Sequence, residues 1–301
     1  MRTRRLHLVC LQLIMGMVAS LSGVWGSETT GAVADRTGTR MQLLEVHAHR
    51  GGAGLAPENT LAAFRKALEL GVDALEMDLH VTRDGVVVVI HDESLDRTTD
   101  GRGDVGELNL ETVKRSDAGD KFAPAFRGER VPTLREVIDL VKANGNGRVR
   151  LDLELKYHQD RPGKPEDFEE RVLEILRGTG FTQRVNVISF HHPSLAKVKA
   201  LEPKIRTGLL AGGRTAPQDP VALVRQFRAD YYSPSFRHVT SEAVAALHQT
   251  GIPIVPWTVN DETDMRRLMA LGIGALAGDG IATDFPDRLL ILLNARQRPK
   301  P

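Results

Sequence analysis

From Leu43 onward, short apolar runs alternate with longer stretches whose apolar residues recur every three or four positions. The short runs read as strands and the periodic stretches as amphipathic helices. Strands are predicted at Leu43–Ala48, Ala74–Leu79, Val149–Leu155, Val185–Ser189, Thr207–Leu210, Asp230–Ser233, Ile252–Thr258 and Gly274–Gly278. Helices are predicted at Thr60–Leu70, Thr133–Ala143, Asp167–Arg177, Pro193–Ala200, Pro220–Phe227, Ser241–Gln249 and Glu262–Leu271. Strands that alternate with helices build a parallel sheet, and eight repeats close into a ring more readily than they form an open sheet. The fold class expected is α/β, a (β/α)8 barrel of the TIM type. Asn59-Thr60, Pro132-Thr133, Ser241 and Asp261 stand where helix N-caps belong, and Gly71, Gly251 and Gly272 where helices should stop.

One stretch departs from the alternation. Val86–Ile90 is a continuous apolar run after the turn signal Arg83-Asp84-Gly85, and reads as an extra strand hairpinned onto Ala74–Leu79. Residues 97–131, rich in Gly, Asp and other charged residues, show weak periodicity. They form a small insertion after the second strand, on the side of a barrel where loops build active sites. Within it, Gly101-Arg102-Gly103-Asp104-Val105-Gly106 matches a dinucleotide fingerprint literally. No strand immediately precedes it, so it reads as a loop.

The first residues carry a different pattern. Arg2, Arg4 and Arg5 precede an apolar run from Leu6 to Val24, bounded by Gly26 and Ser27. A basic start, an apolar middle and small residues at the end describe an export signal. A cut after Gly26 is expected, with Ala34 as the rival position and an uncleaved anchor helix as the alternative. The expected organisation is a signal peptide over 1–26, a polar linker over 27–40 and a catalytic domain over 41–301, in a secreted or periplasmic protein. Removing 1–26 takes three arginines and no acid, turning a net charge of +1 into −2, and takes Cys10, the one cysteine. The mature chain would then need a core stable without disulfides, which this length can supply. It would also have no stable membrane span. With 41% hydrophobic and 26% charged residues, a net charge of +1 and no basic cluster interleaved with aromatics after residue 40, nothing points to nucleic acid.

Side chains alternate along a strand. In Leu75-Glu76-Met77-Asp78-Leu79 and Leu151-Asp152-Leu153-Glu154-Leu155-Lys156, the acids therefore share one face and the apolar residues take the other. Acids confined in a barrel mouth repel one another, and a divalent cation with oxygen ligands, Mg²⁺ or Ca²⁺, is the simplest compensation. Glu76, Asp78 and Glu154 are the metal candidates, because one lysine cannot neutralise three carboxylates. Asp152 is divided evenly between that role and a plain pairing with Lys156 or an arginine. His49 and His91 end the first and the extra strand, where imidazoles on either side of a phosphate can act as base and acid. His47 and His80 remain supporting or structural candidates.

These residues lie within a recognisable series. His49-Arg50-Gly51-Gly52, Ala56-Pro57-Glu58-Asn59-Thr60, Glu76-Met77-Asp78, Thr82-Arg83-Asp84-Gly85, His91-Asp92, Arg97-Thr98-Thr99, Leu153-Glu154-Leu155-Lys156, Trp257-Thr258-Val259-Asn260 and Asp279 to Asp287 occur in order. The series resembles the glycerophosphodiester phosphodiesterase family over about residues 43–290. The resemblance implies a (β/α)8 barrel and metal-dependent hydrolysis of a small glycerophosphodiester to glycerol 3-phosphate and an alcohol. It implies His49 and His91 as catalytic residues, Glu76, Asp78 and Glu154 as ligands of Ca²⁺ or Mg²⁺, Arg50 and Lys156 as phosphate binders, and Trp257 as a surface for the glycerol. The alternatives are a lysophospholipase D-type phospholipase on the same barrel and an inactive extracellular binding barrel. Nothing in the sequence sets the alcohol group or the oligomeric state.

Overall fold

The computed structural model describes residues 44–145, 147–157, 167–213 and 219–297. Contacts divide the chain at Met41/Gln42. The expected signal peptide, linker and Cys10 lie outside the described residues.

Strand β1 (Glu45–Ala48) pairs in parallel with β2 (Ala74–Val81), and β2 with β4 (Arg150–Leu155). Parallel pairing continues to β5 (Val185–Ser189), β6 (Arg206–Ala211) and β7 (Tyr231–Pro234). Tyr232 and Ser235 then bridge Ile254 and Trp257 in parallel. Ile254 and Pro256 carbonyls accept the Gly280 and Ala282 amides at 3.0 Å. Those amides belong to β8 (Gly280–Thr283), which pairs in parallel with β1. The parallel α/β architecture is as expected, and the pairing returns to its first strand. The expected extra strand is β3 (Val87–Val89), antiparallel to the end of β2.

Helices occupy the connections: α1 (Leu61–Leu70), α2 (Leu110–Arg115), α3 (Leu134–Ala143), α4 (Phe168–Thr179), α5 (His192–Leu201), α6 (Pro220–Gln226), α7 (Ser241–Gln249), α8 (Glu262–Ala270) and α9 (Pro286–Gln297). Thr60 and Thr133 cap α1 and α3 through their side chains, and Gly71 ends α1 with φ +77°. The cap of α7 is Thr240 rather than the expected Ser241, because the Thr240 hydroxyl receives the Ala243 amide. The last strand also begins later than Gly274–Gly278. There the Asp279 carboxylate accepts the amides of Gly274, Leu276 and Ile254, which ties 274–279 into a turn and leaves pairing to start at Gly280.

Leu75, Met77 and Leu79 of β2 and Leu151, Leu153 and Leu155 of β4 are fully buried in one cluster with Val137 and Ile138 of α3 and Phe168 of α4. These outward-facing residues hold the helices to the strands, which leaves the alternate residues pointing inward. Between β2 and β4 the register sets Glu76 beside Asp152 and Asp78 beside Glu154. Residues 97–131 pack around a separate small cluster of Val88, Ile90, Leu95, Val105, Val113, Ala118 and Val131.

The lower interior is polar. His47 Nδ1 lies 2.5 Å from Asp152 Oδ2, and Asn186 donates to Asp152 Oδ1 at 2.7 Å. His47 Nε2 is 3.3 Å from Glu45, which also pairs with Arg150. Gly280 admits the imidazole: a Cβ there would sit 2.5 Å from His47 Nε2. Burial works against the imidazolium, but the Asp152 carboxylate and Glu45 outweigh it and push His47 up to about 9. Burial likewise opposes the Asp152 anion, and His47 more than offsets it, so that carboxyl lies below its ordinary value.

A raised histidine stabilises the fold fully below its unfolded value, roughly 6.5, and loses that contribution as pH rises through about 9. The parent's Tm, followed by calorimetry, should therefore fall between about pH 6.5 and 9 more steeply than that of His47→Gln. The variant should start lower and lack this component. Parallel profiles would refute the assignment.

Candidate active site

The site begins with a strained turn. After β1 the chain passes through Arg50 (φ +50°), Gly51 (φ +79°) and Gly52 (φ +89°), three successive residues in the left-handed region. Glycine adopts that conformation freely, whereas Arg50 is held there against a steric preference. A Cβ at Gly51 would lie 2.9 Å from both Ala63 Cβ and the Phe64 ring, so the turn can lie against α1 only with glycine there. The turn points the Arg50 amide at Glu76 Oε2, at 2.7 Å. Asn59, also in the left-handed region, donates its side-chain amide to Asp78 Oδ2 at 2.8 Å.

Glu76, Asp78 and Glu154 are buried, and one oxygen from each lies within 4.8 Å of the other two. Two cations face them. Arg50 Nε is 3.5 Å from Asp78 while Nη1 donates to Glu58, and Lys156 Nζ is 2.9 Å from Glu154 and 3.5 Å from Asp78. Burial and the neighbouring Asp78 and Glu154 charges raise the Glu76 carboxyl well above its ordinary value. Burial and Asp78 push Glu154 up to about 7, although Lys156 opposes the shift. Asp78 goes the other way: Lys156 and Arg50 overcome its burial and hold it low. Fully ionised, the three carboxylates would carry more negative charge than the two partly shared cations neutralise, and the raised Glu76 and Glu154 carboxyls register that repulsion. Asp78 Oδ1 is buried with no hydrogen-bond donor, and all three groups offer hard oxygen ligands. Charge, donor type and convergence fit a divalent cation.

Two imidazoles flank the acids, each with a carboxylate on Nδ1. His49 Nδ1 is 2.6 Å from Asp284 Oδ1, and its Nε2 is 4.0 Å from Glu76. Asp284 is held in turn by the Asn260 side-chain amide at 2.6 Å. His91 Nδ1 is 2.6 Å from Asp92 Oδ1, and Arg97 donates to both oxygens of Asp92. A carboxylate at Nδ1 accepts a hydrogen bond from the ring N–H there, so each Nε2 is left to exchange a proton. Burial lowers His91, and Lys156 and Arg50 add to that against the opposing Asp78.

His49, Arg50, Glu76, His91, Glu154 and Lys156 line a cleft of about 600 Å³, counted with its open mouth, together with the apolar Ile188, Phe190, Leu210, Val255 and Trp257. Trp257 Nε1 donates to Ser233 O at 2.8 Å, and Phe190 meets the indole edge-on at 5.4 Å. All the residues singled out from the sequence as catalytic, metal-binding or substrate-binding thus meet in one place. Asp152 lines the cleft, but its hydrogen-bond partners are His47 and Asn186, and of the cations expected beside it Arg150 contributes only as a nearby charge. His80 donates from Nε2 to the His91 carbonyl, 3.1 Å away. Sequence reasoning assigns no role to Glu58, Asp92, Asn260, Asp284 or Phe190, although the first four lie inside the quoted motifs. The signal available was position, since Asp92, Phe190 and Asp284 follow the ends of β3, β5 and β8.

Neutralising one acid should relieve repulsion. In chelator, Glu76→Gln should unfold a few degrees above the parent, since about 1 kcal/mol moves Tm by about 2–4 °C at this size. Added Mg²⁺ or Ca²⁺ should raise the parent's Tm and leave the variant's nearly unchanged. Equal cation-induced shifts would exclude Glu76 as a ligand.

Comparison with known proteins places the chain among relatives. A family model described as the glycerophosphoryl diester phosphodiesterase family matches residues 49–288. A glycerophosphodiester phosphodiesterase of Caldanaerobacter subterraneus is 38% identical over 253 residues, covering 82% of this chain and 97% of the relative. The solved structure of an Oleispira antarctica phosphodiesterase, in complex with the product sn-glycerol-3-phosphate, superimposes with a TM-score of 0.71 at 28% identity, covering 84% and 97%. A glycerophosphodiester phosphodiesterase of Agrobacterium tumefaciens gives 0.68 at 27%, covering 82% and 99%.

Proposed function

The chain belongs to the glycerophosphoryl diester phosphodiesterase family, and we propose that its cleft hydrolyses a glycerophosphodiester to glycerol 3-phosphate and an alcohol by histidine acid–base catalysis. The observation that carries the reading is the convergence of Glu76, Asp78 and Glu154 between two carboxylate-backed imidazoles. We read the returning strand order as a (β/α)8 barrel, with residues 97–131 as an insertion beside its mouth.

In this reading Glu76, Asp78 and Glu154 hold a divalent cation, Ca²⁺ or Mg²⁺. When bound, such an ion neutralises charge on phosphate oxygens. Arg50 and Lys156 bind the remaining phosphate oxygens. Arg50 does so from a conformation fixed by Glu58 and the left-handed turn, and Lys156 as a compact charge between Glu154 and Asp78. One imidazole takes a proton at Nε2 from the attacking hydroxyl, and the other gives a proton at Nε2 to the departing alkoxide. Asp284 and Asp92 hold the two rings in orientation throughout. The attacking hydroxyl is that of water or of the substrate's own glycerol, the latter through a cyclic phosphate. Trp257, anchored through Ser233, presents an apolar face to the glycerol carbons.

The product held by the Oleispira antarctica phosphodiesterase matches this product class. Residues 1–26 are proposed to direct export to a secreted or periplasmic location. Among the described residues no helix is long and apolar enough to cross a membrane.

With a divalent cation and glycerophosphocholine, the parent should turn over, while His49→Ala and His91→Ala should each lose about 100-fold or more in kcat. Near-parent kcat in either variant would remove that histidine from the mechanism. Preference for lysophosphatidylcholine over glycerophosphocholine would move the assignment to a lysophospholipase D activity.

A further inference from the structure

The carboxylates behind the two imidazoles are anchored differently. Asp284, behind His49, leaves the end of β8 and is held by Asn260. Asp92, behind His91, lies in the loop after β3 and is held by a guanidinium that spans two elements. Arg97 donates from Nε to Asp92 Oδ2 at 2.7 Å and from Nη2 to Asp92 Oδ1 at 2.9 Å. On its other edge, Nη1 and Nη2 donate to Glu58 Oε2 and Oε1 at 2.9 and 2.8 Å. Glu58 Oε1 also accepts from Arg50 Nη1 at 2.9 Å. Charges therefore alternate from Arg50 through Glu58 and Arg97 to Asp92, which holds the His91 ring. The chain links the turn that presents the phosphate-binding arginine to the loop that presents the second imidazole.

We propose that Arg97 is a positioning residue that fixes the His91 imidazole relative to Arg50 by bridging Asp92 and Glu58 with its two edges. The inference rests on the hydrolase reading above, because it needs His91 to act on the substrate. Surface ion pairs usually contribute little, and Arg97 is 46% exposed, so a bystander pair is the competing interpretation. The geometry argues against it. Two bidentate pairings on one guanidinium engage both edges of its planar fork, and a network of four charged groups constrains each member more than an isolated pair does. The backbone beneath is also fixed: the buried Thr99 hydroxyl donates to Leu95 O at 2.8 Å, closing the turn that carries Arg97. The ends of the bridge matter as well. Asp92 Oδ1 receives both Arg97 Nη2 and His91 Nδ1, so rotation of that carboxylate would turn the ring. Lysine cannot replace this arrangement, since an ammonium has no planar fork to offer two carboxylates at once.

The experiment compares the parent, Arg97→Ala and Arg97→Lys in kinetics on glycerophosphocholine at saturating divalent cation, and records the His91 Nδ1–H signal by ¹⁵N-edited NMR. Arg97→Ala is expected to lower kcat by about 10–100-fold, in the range for removing an outer partner of a functional histidine, with KM within about threefold. Arg97→Lys, which keeps the charge and the exposed stem, should show a comparable loss. In both variants the Nδ1–H signal, protected in the parent, should broaden or exchange away. Glu58→Gln should also raise KM, because Glu58 holds Arg50 as well. Parent-like kcat in Arg97→Lys overturns the proposal. So does a loss confined to KM, or an undisturbed Nδ1–H signal beside a reduced kcat. A parent without turnover would instead overturn the hydrolase reading, while the NMR comparison would still report on the bridge.

Discussion

Three carboxylates pressed together in a buried space are the constraint to which the rest of the site responds. Glu76 and Asp78 lie on β2 and Glu154 on β4, adjacent parallel strands whose leucines and Met77 face the helices. Packing the leucines outward therefore forces the acids inward and onto one another. Lys156 and Arg50 offset part of the charge, and Arg50 is shared with Glu58. The remaining repulsion appears as raised carboxyls at Glu76 and Glu154 beside a low one at Asp78. Such a cluster costs the fold stability and repays it in function when a divalent cation takes the shared position.

The surroundings keep that cluster in register. The left-handed Arg50-Gly51-Gly52 turn directs a backbone amide at Glu76 and brings His49 beside it. Asn59 holds Asp78 from a second left-handed position. Each imidazole receives its own carboxylate at 2.6 Å, from the end of β8 for His49 and from the neighbouring residue for His91. Below them, the His47–Asp152 pair, with Glu45 and Asn186, fills the lower interior with paired charge rather than a second acid cluster.

Much of this arrangement is legible in the sequence, for a local reason. In Leu75-Glu76-Met77-Asp78-Leu79 and Leu151-Asp152-Leu153-Glu154-Leu155 the period of two states which face each acid takes. What stays hidden is set by distance along the chain. Asp152 is 105 residues from its partner His47, and Asp284 is 235 residues from His49. No spacing rule links them. The last strand is misread at Gly274–Gly278 because an apolar run looks the same in a turn, and the carboxylate that gathers its amides, Asp279, lies beyond the run. The fork of Arg97 is equally invisible, since its two carboxylates come from loops that only the fold brings together. Phe190 carries no motif, and its place in the cleft follows from the end of β5 meeting Trp257.

The central claim is that Glu76, Asp78 and Glu154 share one cation. Anomalous scattering from crystals soaked in Mn²⁺ addresses it without reference to turnover. The account predicts one strong peak in the cleft with oxygens of all three carboxylates at about 2.0–2.6 Å. A cation bound elsewhere, with these three side chains turned apart, would contradict it.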